Sequence, residues 1–109
     1  MTVSEISAKL SLKSVIVPDG DRVVEGVYIG DLLSWVMGRA KADNAWITIM
    51  SNINIVAVAA LVDTACVILA EGVEIDEDVK AVASEKNVNI FATDKTAYEI
   101  AIQLYELLK

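Results

Sequence analysis

The chain has 109 residues, 55% of them apolar, with 16 acidic and 9 basic side chains and a net charge of -7. That length suits one domain with a single continuous core. The negative field and the lack of any basic cluster exclude duplex nucleic acid as a partner, since such binding draws on phosphate neutralisation by Lys and Arg. The first element is a helix opened by a capping box, with Thr2 at the N-cap, Glu5 folding back, and Val3, Ile6 and Leu10 forming its apolar stripe. Residues 14–17 form a β-branched strand ended by Pro18-Asp19-Gly20, a turn sequence. Residues 23–29 read as a second strand, with Gly26 a bulge or a close backbone approach. Asp31 is placed to cap the next helix, whose apolar face is Leu32, Leu33, Val36, Met37 and Ala40.

Residues 46–50 form the third strand, after which Ser51, Asn52 and Asn54 offer polar caps to a helix over about 55–62. That helix has no polar face, so it is either core or covered by another chain. Residues 66–70 make the fourth strand. Asp76 caps a helix whose inner face is Val79, Val82 and Ala83, and residues 89–92 make the fifth strand. Thr96 and Glu99 form a second capping box before a helix with Ile100, Leu104, Leu107 and Leu108 on its buried stripe. From residue 23 onward strand and helix alternate four times. Right-handed βαβ crossovers then give an α/β fold, a three-layer α/β/α sandwich with a mostly parallel five-stranded sheet. The early strand at Ser14 is expected to pair antiparallel with the next one, because only a short turn separates them.

The apolar runs at 55–61 and 65–70 fall well short of the about 18–20 residues that span a bilayer. No membrane partner is expected, and nothing near Met1 reads as a signal peptide, so the expected location is the cytoplasm. The mean hydropathy of +0.51 is high for so small a chain. It implies elements buried on both faces together with an apolar surface kept for a second copy, hence a homodimer using Ile55, Val56, Val58, Ala59 and Leu61.

The absence of His removes serine-hydrolase triads and His-ligated metals, and a single cysteine removes thiolate zinc clusters. Phosphate-loop and dinucleotide fingerprints are also absent, so no cofactor or metal is expected. Cys66 lies in an apolar run and reads as a small buried hydrophobe. The acidic run of Glu71, Glu74, Asp76, Glu77 and Asp78 reads as a solvated loop with favourable charge at a helix start.

A mostly parallel sheet places its site at the C-terminal ends of its strands. The candidate ligand-binding residues there are Gly30, Asp31, Ser51, Asn52, Asn54, Thr93, Asp94 and Lys95, several of them at helix starts that suit an anion. Asp31, Asn52 or Asn54, and Thr96 also have a plainer role as helix caps, which is the commoner use of such residues. Arg22 either faces solvent or bridges to a carboxylate or a partner subunit, and is expected to serve assembly more than core stability.

The stretch around Asp21, Arg22, Gly26 and Tyr28, leading into Gly30 and Asp31, resembles the signature of the DRTGG domain. Glu25 and Val27 stand where that signature has threonine and a second glycine. The downstream segments 46–49 and 54–59, and Thr93-Asp94 before the last helix, also resemble this family, so the resemblance covers a single domain over 1–109. It implies a fold similar to the N-terminal domain of HPr kinase/phosphorylase. The implied function is a non-catalytic regulatory or sensing module, a signature surface used in assembly, and a setting such as hydrogenase-associated or signalling systems. A homodimer, a regulatory protein partner and a small anionic or nucleotide-like ligand are the expected partners. The alternative is a small enzyme subunit acting through carboxylates together with a partner protein.

Overall fold

A computed structural model describes residues 1–109. In chain order the elements are α1 (Val3–Leu10), β1 (Lys13–Ile16), β2 (Val27–Ile29), α2 (Leu33–Arg39), β3 (Ala45–Thr48), α3 (Asn54–Val62), β4 (Cys66–Leu69), α4 (Glu77–Glu85), β5 (Ile90–Ala92) and α5 (Ala97–Leu108). The sheet order is β1-β5-β4-β3-β2, with β2 to β5 parallel and β1 antiparallel to β5. The three-layer α/β/α sandwich with a mostly parallel five-stranded sheet is therefore the observed fold.

Side chains of the central strands alternate between two cores, as the period of two in a strand requires. Ala45, Ile47, Cys66, Ile68 and Phe91 face one layer, where Val3, Ile6 and Leu10 of α1 pack with Ile100 and Leu104 of α5. Trp46, Val67, Leu69 and Ile90 face the other, against Val36 of α2, Ile55, Val56, Val58 and Ala59 of α3, and Val79 and Ala83 of α4. Because β2, β3, β4 and β5 follow one another across the sheet, each right-handed crossover lays its helix on the same face. Only after β5 does the chain cross to the opposite face, through α5.

Both capping boxes form. Thr2 accepts from the Glu5 amide at 3.2 Å and Thr96 from the Glu99 amide at 3.2 Å, each glutamate bonding back to the cap. Several expectations are corrected. The first strand is antiparallel, but its partner is β5 and not β2, from which three strands separate it: residues 17–26 run across the N-terminal ends of the parallel strands, where Val23 makes only an isolated bridge to Thr2. The second strand accordingly starts at Val27, not at residue 23. The N-cap of α2 is Leu32 with no side-chain cap, and Leu32 and Met37 are exposed, leaving Val36 as its one fully buried anchor. Asp76 stands at the N-cap of α4 without a side-chain hydrogen bond.

The face of α3 proposed for dimerisation is also corrected. Ile55, Val56, Val58 and Ala59 are buried within one chain, and of that set only Leu61 is exposed, at 72%. Both sheet faces are covered by helices, so an all-apolar helix finds its partner internally.

Candidate functional site

The Asp21 to Gly26 signature sits at the N-terminal end of the parallel strands, and there it builds structure. The Arg22 guanidinium donates from Nε and Nη2 to Asp43 Oδ1, at 3.2 and 3.0 Å, and from Nη2 to the Asp63 carbonyl at 2.6 Å. Its Nη1 lies 2.8 Å from the Asp63 carboxylate. Asp43 precedes β3 and Asp63 ends α3 before β4, and both have a φ of 67°, a left-handed conformation that costs an L-residue energy unless it is held. Arg22 supplies that hold. Partial burial opposes its charge, but the hydrogen bonds and charge of Asp63 and Asp43 outweigh this and raise its pKa above the ordinary arginine value. Gly26, at a φ of +87°, passes so close to Asn44 that an added Cβ would lie 2.9 Å from its Nδ2. Asn44 in turn donates to the Glu25 carbonyl and accepts from the Lys41 amide, both at 2.9 Å. Asn89, buried before β5, joins Asp19 to Ala65 through three hydrogen bonds.

At the opposite end, Asp31 does not cap a helix. Its Oδ1 accepts from the Thr48 hydroxyl at 2.8 Å and from the Ile49 amide at 3.0 Å, joining the exit of β2 to the exit of β3. Trp46 Nε1 donates to the Gly30 carbonyl at 2.9 Å, and the Tyr28 ring packs so closely over Gly30 that an added Cβ would lie 2.9 Å from its Cε2. Asn52 Oδ1 accepts from the Asn54 amide at 2.9 Å, within the turn that starts α3. At α5 the Thr96 and Glu99 box occupies the first amides with a carboxylate of its own. The starts of α3 and α5 are thus already met by side chains of this chain, whereas α2 starts without a side-chain cap.

A crevice of about 320 Å³ opens where the loops after β4 and β5 part. Gly72, Val73 and Glu74 line one wall, and Thr93, Asp94 and Lys95 the other, with Ser11 and Lys13 closing it from the β1 side. The loops are pinned at its base by backbone bonds from Glu71 to the Lys95 carbonyl and from Gly72 to the Thr93 carbonyl, both 2.9 Å. Gly72 has a φ of +73°, and a Cβ there would come within 3.2 Å of Asp94 Oδ1, so glycine keeps the floor open. Lys95 Nζ donates to Gln103 Oε1 at 3.1 Å.

The family model for the DRTGG domain matches residues 1–107. The chain belongs to the DRTGG domain family. Its fold is similar to that of a crystal structure of the CBS and DRTGG domains of the regulatory region of Clostridium perfringens pyrophosphatase, complexed with the activator diadenosine tetraphosphate. The TM-score is 0.72 at 12% sequence identity, over 93% of this chain and 44% of that one, so the likeness is one of fold. No curated protein matches the chain.

In this DRTGG domain the eight strand-end candidates do not form one site. Thr93, Asp94 and Lys95 line the crevice, whereas Gly30, Asp31, Ser51, Asn52 and Asn54 lie at the ends of β2 and β3 and line none of it. Of the signature residues, Asp21 is exposed, Arg22 and Gly26 are structural, and Tyr28 covers Gly30. Sequence reasoning missed Ser11 and Lys13, which reach the crevice only because β1 pairs with β5. It also missed Thr48, whose hydroxyl is the partner of Asp31. No group of three metal-ligating side chains converges, and no helix is long and apolar enough to cross a membrane. Burial pushes the Cys66 thiol up to about 12, which keeps it protonated and unreactive in the fold.

Proposed function

We propose that this DRTGG domain is a non-catalytic regulatory module that forms homodimers and senses a small charged molecule. The observation that carries the reading is the family match over nearly the whole chain. It is supported by the shared fold with a regulatory region solved with a nucleotide activator. The carboxylates favour it over an enzyme subunit: Asp31, Asp43 and Asp63 are all engaged in holding loops together. Homodimerisation rests on the exposed Leu32, Trp35 and Leu61 of the α2 and α3 layer, which a second copy would cover.

A thermal-shift screen across nucleotides, acyl phosphates and amino acids, run beside a turnover assay on the same compounds, tests sensing against catalysis. A raised melting midpoint without turnover is the expected result, and turnover by the isolated chain would overturn it. Light scattering tests the dimer, which a concentration-independent mass near 11.7 kDa would refute.

A further inference from the structure

Ligand sites in open α/β sheets form where the connections leaving two adjacent strands go to opposite faces, because the loops there diverge and leave a crevice. Along β2, β3 and β4 every connection goes to the layer of α2, α3 and α4, so their loops run side by side and none diverge. The one divergence among the parallel strands lies between β4, whose chain turns toward α4, and β5, whose chain turns toward α5 on the other face. The crevice between Gly72 and Thr93 occupies that position.

Its lining decides what it can take. Lys13 brings an ammonium group, that of Lys95 being bonded to Gln103 of α5, while Glu74 and Asp94 bring two carboxylates and Ser11 and Thr93 two hydroxyls. The apolar lining is Val73 and Ala92 alone, with no aromatic surface on which a nucleobase could stack. A polyanion would meet Glu74 and Asp94 as well as Lys13, whereas a molecule carrying both signs would satisfy both walls. A second hollow of about 270 Å³ continues past Glu74 and Lys13 toward Lys80, which pairs with Glu77 at 3.1 Å. The wider trough between α1 and β1, about 630 Å³, has no charged side chain in its lining and offers no such discrimination.

We infer that the crevice between the β4 and β5 loops binds a small zwitterion of the amino-acid class, its carboxylate toward Lys13 and its ammonium toward Asp94 and Glu74. The hollow beyond Glu74 takes the ligand's side chain. This rests on the ligand-sensing reading above and names the ligand class and its place.

The test is an amide chemical-shift titration of the full chain with the common free L-amino acids, AMP, ATP, diadenosine tetraphosphate and inorganic phosphate in separate arms. Shifts at Gly72, Thr93, Asp94 and Lys95 with at least one amino acid are expected. Both Asp94→Asn and Lys13→Ala, at exposed positions, should weaken that binding about tenfold or more while leaving the melting midpoint unchanged. Binding of a nucleotide or phosphate alone would overturn the ligand class and leave sensing standing. Amino-acid shifts confined to the ends of β2 and β3, or affinity untouched by both substitutions, would overturn the location. Failure of every arm would overturn both this inference and the sensing function it rests on.

Discussion

Arg22 holds Asp63 at two points, its Nη1 2.8 Å from the carboxylate and its Nη2 donating to the backbone carbonyl at 2.6 Å. Asp63 ends α3 in a left-handed conformation, and its carbonyl also accepts from the Asp43 amide at 2.9 Å. One planar fork therefore fixes the entries to β3 and β4 together, which a single-point ammonium cannot do.

Arg22→Ala should lower the unfolding free energy by about 1–2 kcal/mol, the lower part of the range for charge-assisted hydrogen bonds, because Asp63 remains 67% exposed and screened by water. Arg22→Lys should recover only part of it. Urea unfolding measures both, and an unchanged midpoint in the alanine variant would contradict the structural role.

Gly26→Ala and Gly38→Ala should act in opposite directions. At Gly26 the φ of +87° and the 2.9 Å approach to Asn44 should cost roughly 1–3 kcal/mol. Gly38 lies in α2 with nothing within 4 Å of an added Cβ, so alanine there should stabilise by about 0.5–1 kcal/mol. Thermal melts of the two variants provide the comparison.

Glu99 should contribute a pH-dependent part of the stability of α5. Its carboxyl is held below the ordinary 4.5, first by the Thr96 backbone N–H and then by the Thr96 hydroxyl. A folded-state pKa lower than the unfolded one gives stability that is complete above the unfolded value and lost as pH falls through the folded one. Frayed amides at the start of α5 are thus expected only below about pH 4.5, and Glu99→Gln should flatten that dependence. Carboxyl NMR titration checks the direction of the shift.

Cys66 should resist an aromatic disulfide reagent at pH 8 in the native state. Its thiol is buried and its pKa is pushed up to about 12, so labelling requires opening of the β3–β4–β5 core. The labelling rate should rise with urea in step with unfolding, and fast stoichiometric labelling of the native protein would contradict its burial.

The fold was legible where its cause is local. The two capping boxes join residues three positions apart, and the alternation of β-branched runs with amphipathic stretches implies crossovers of one hand and hence the layers. The partner of β1 was not legible, because the hairpin expected from a short turn competes with a longer path that buries Leu12 and Val24 and pairs β1 with β5. Asp31 has the spacing of a cap, and only the side-by-side exits of β2 and β3 give it Thr48 as a stronger partner. The signature arginine likewise has partners 21 and 41 residues away, which no local pattern encodes. Thr93, Asp94 and Lys95 could be named as strand-end candidates because strand ends are readable in sequence, and they line the crevice. Which of the strand ends opens a crevice depends on the face to which each following helix packs. That choice is made by long-range burial of the two cores, and so it belongs to the tertiary structure alone.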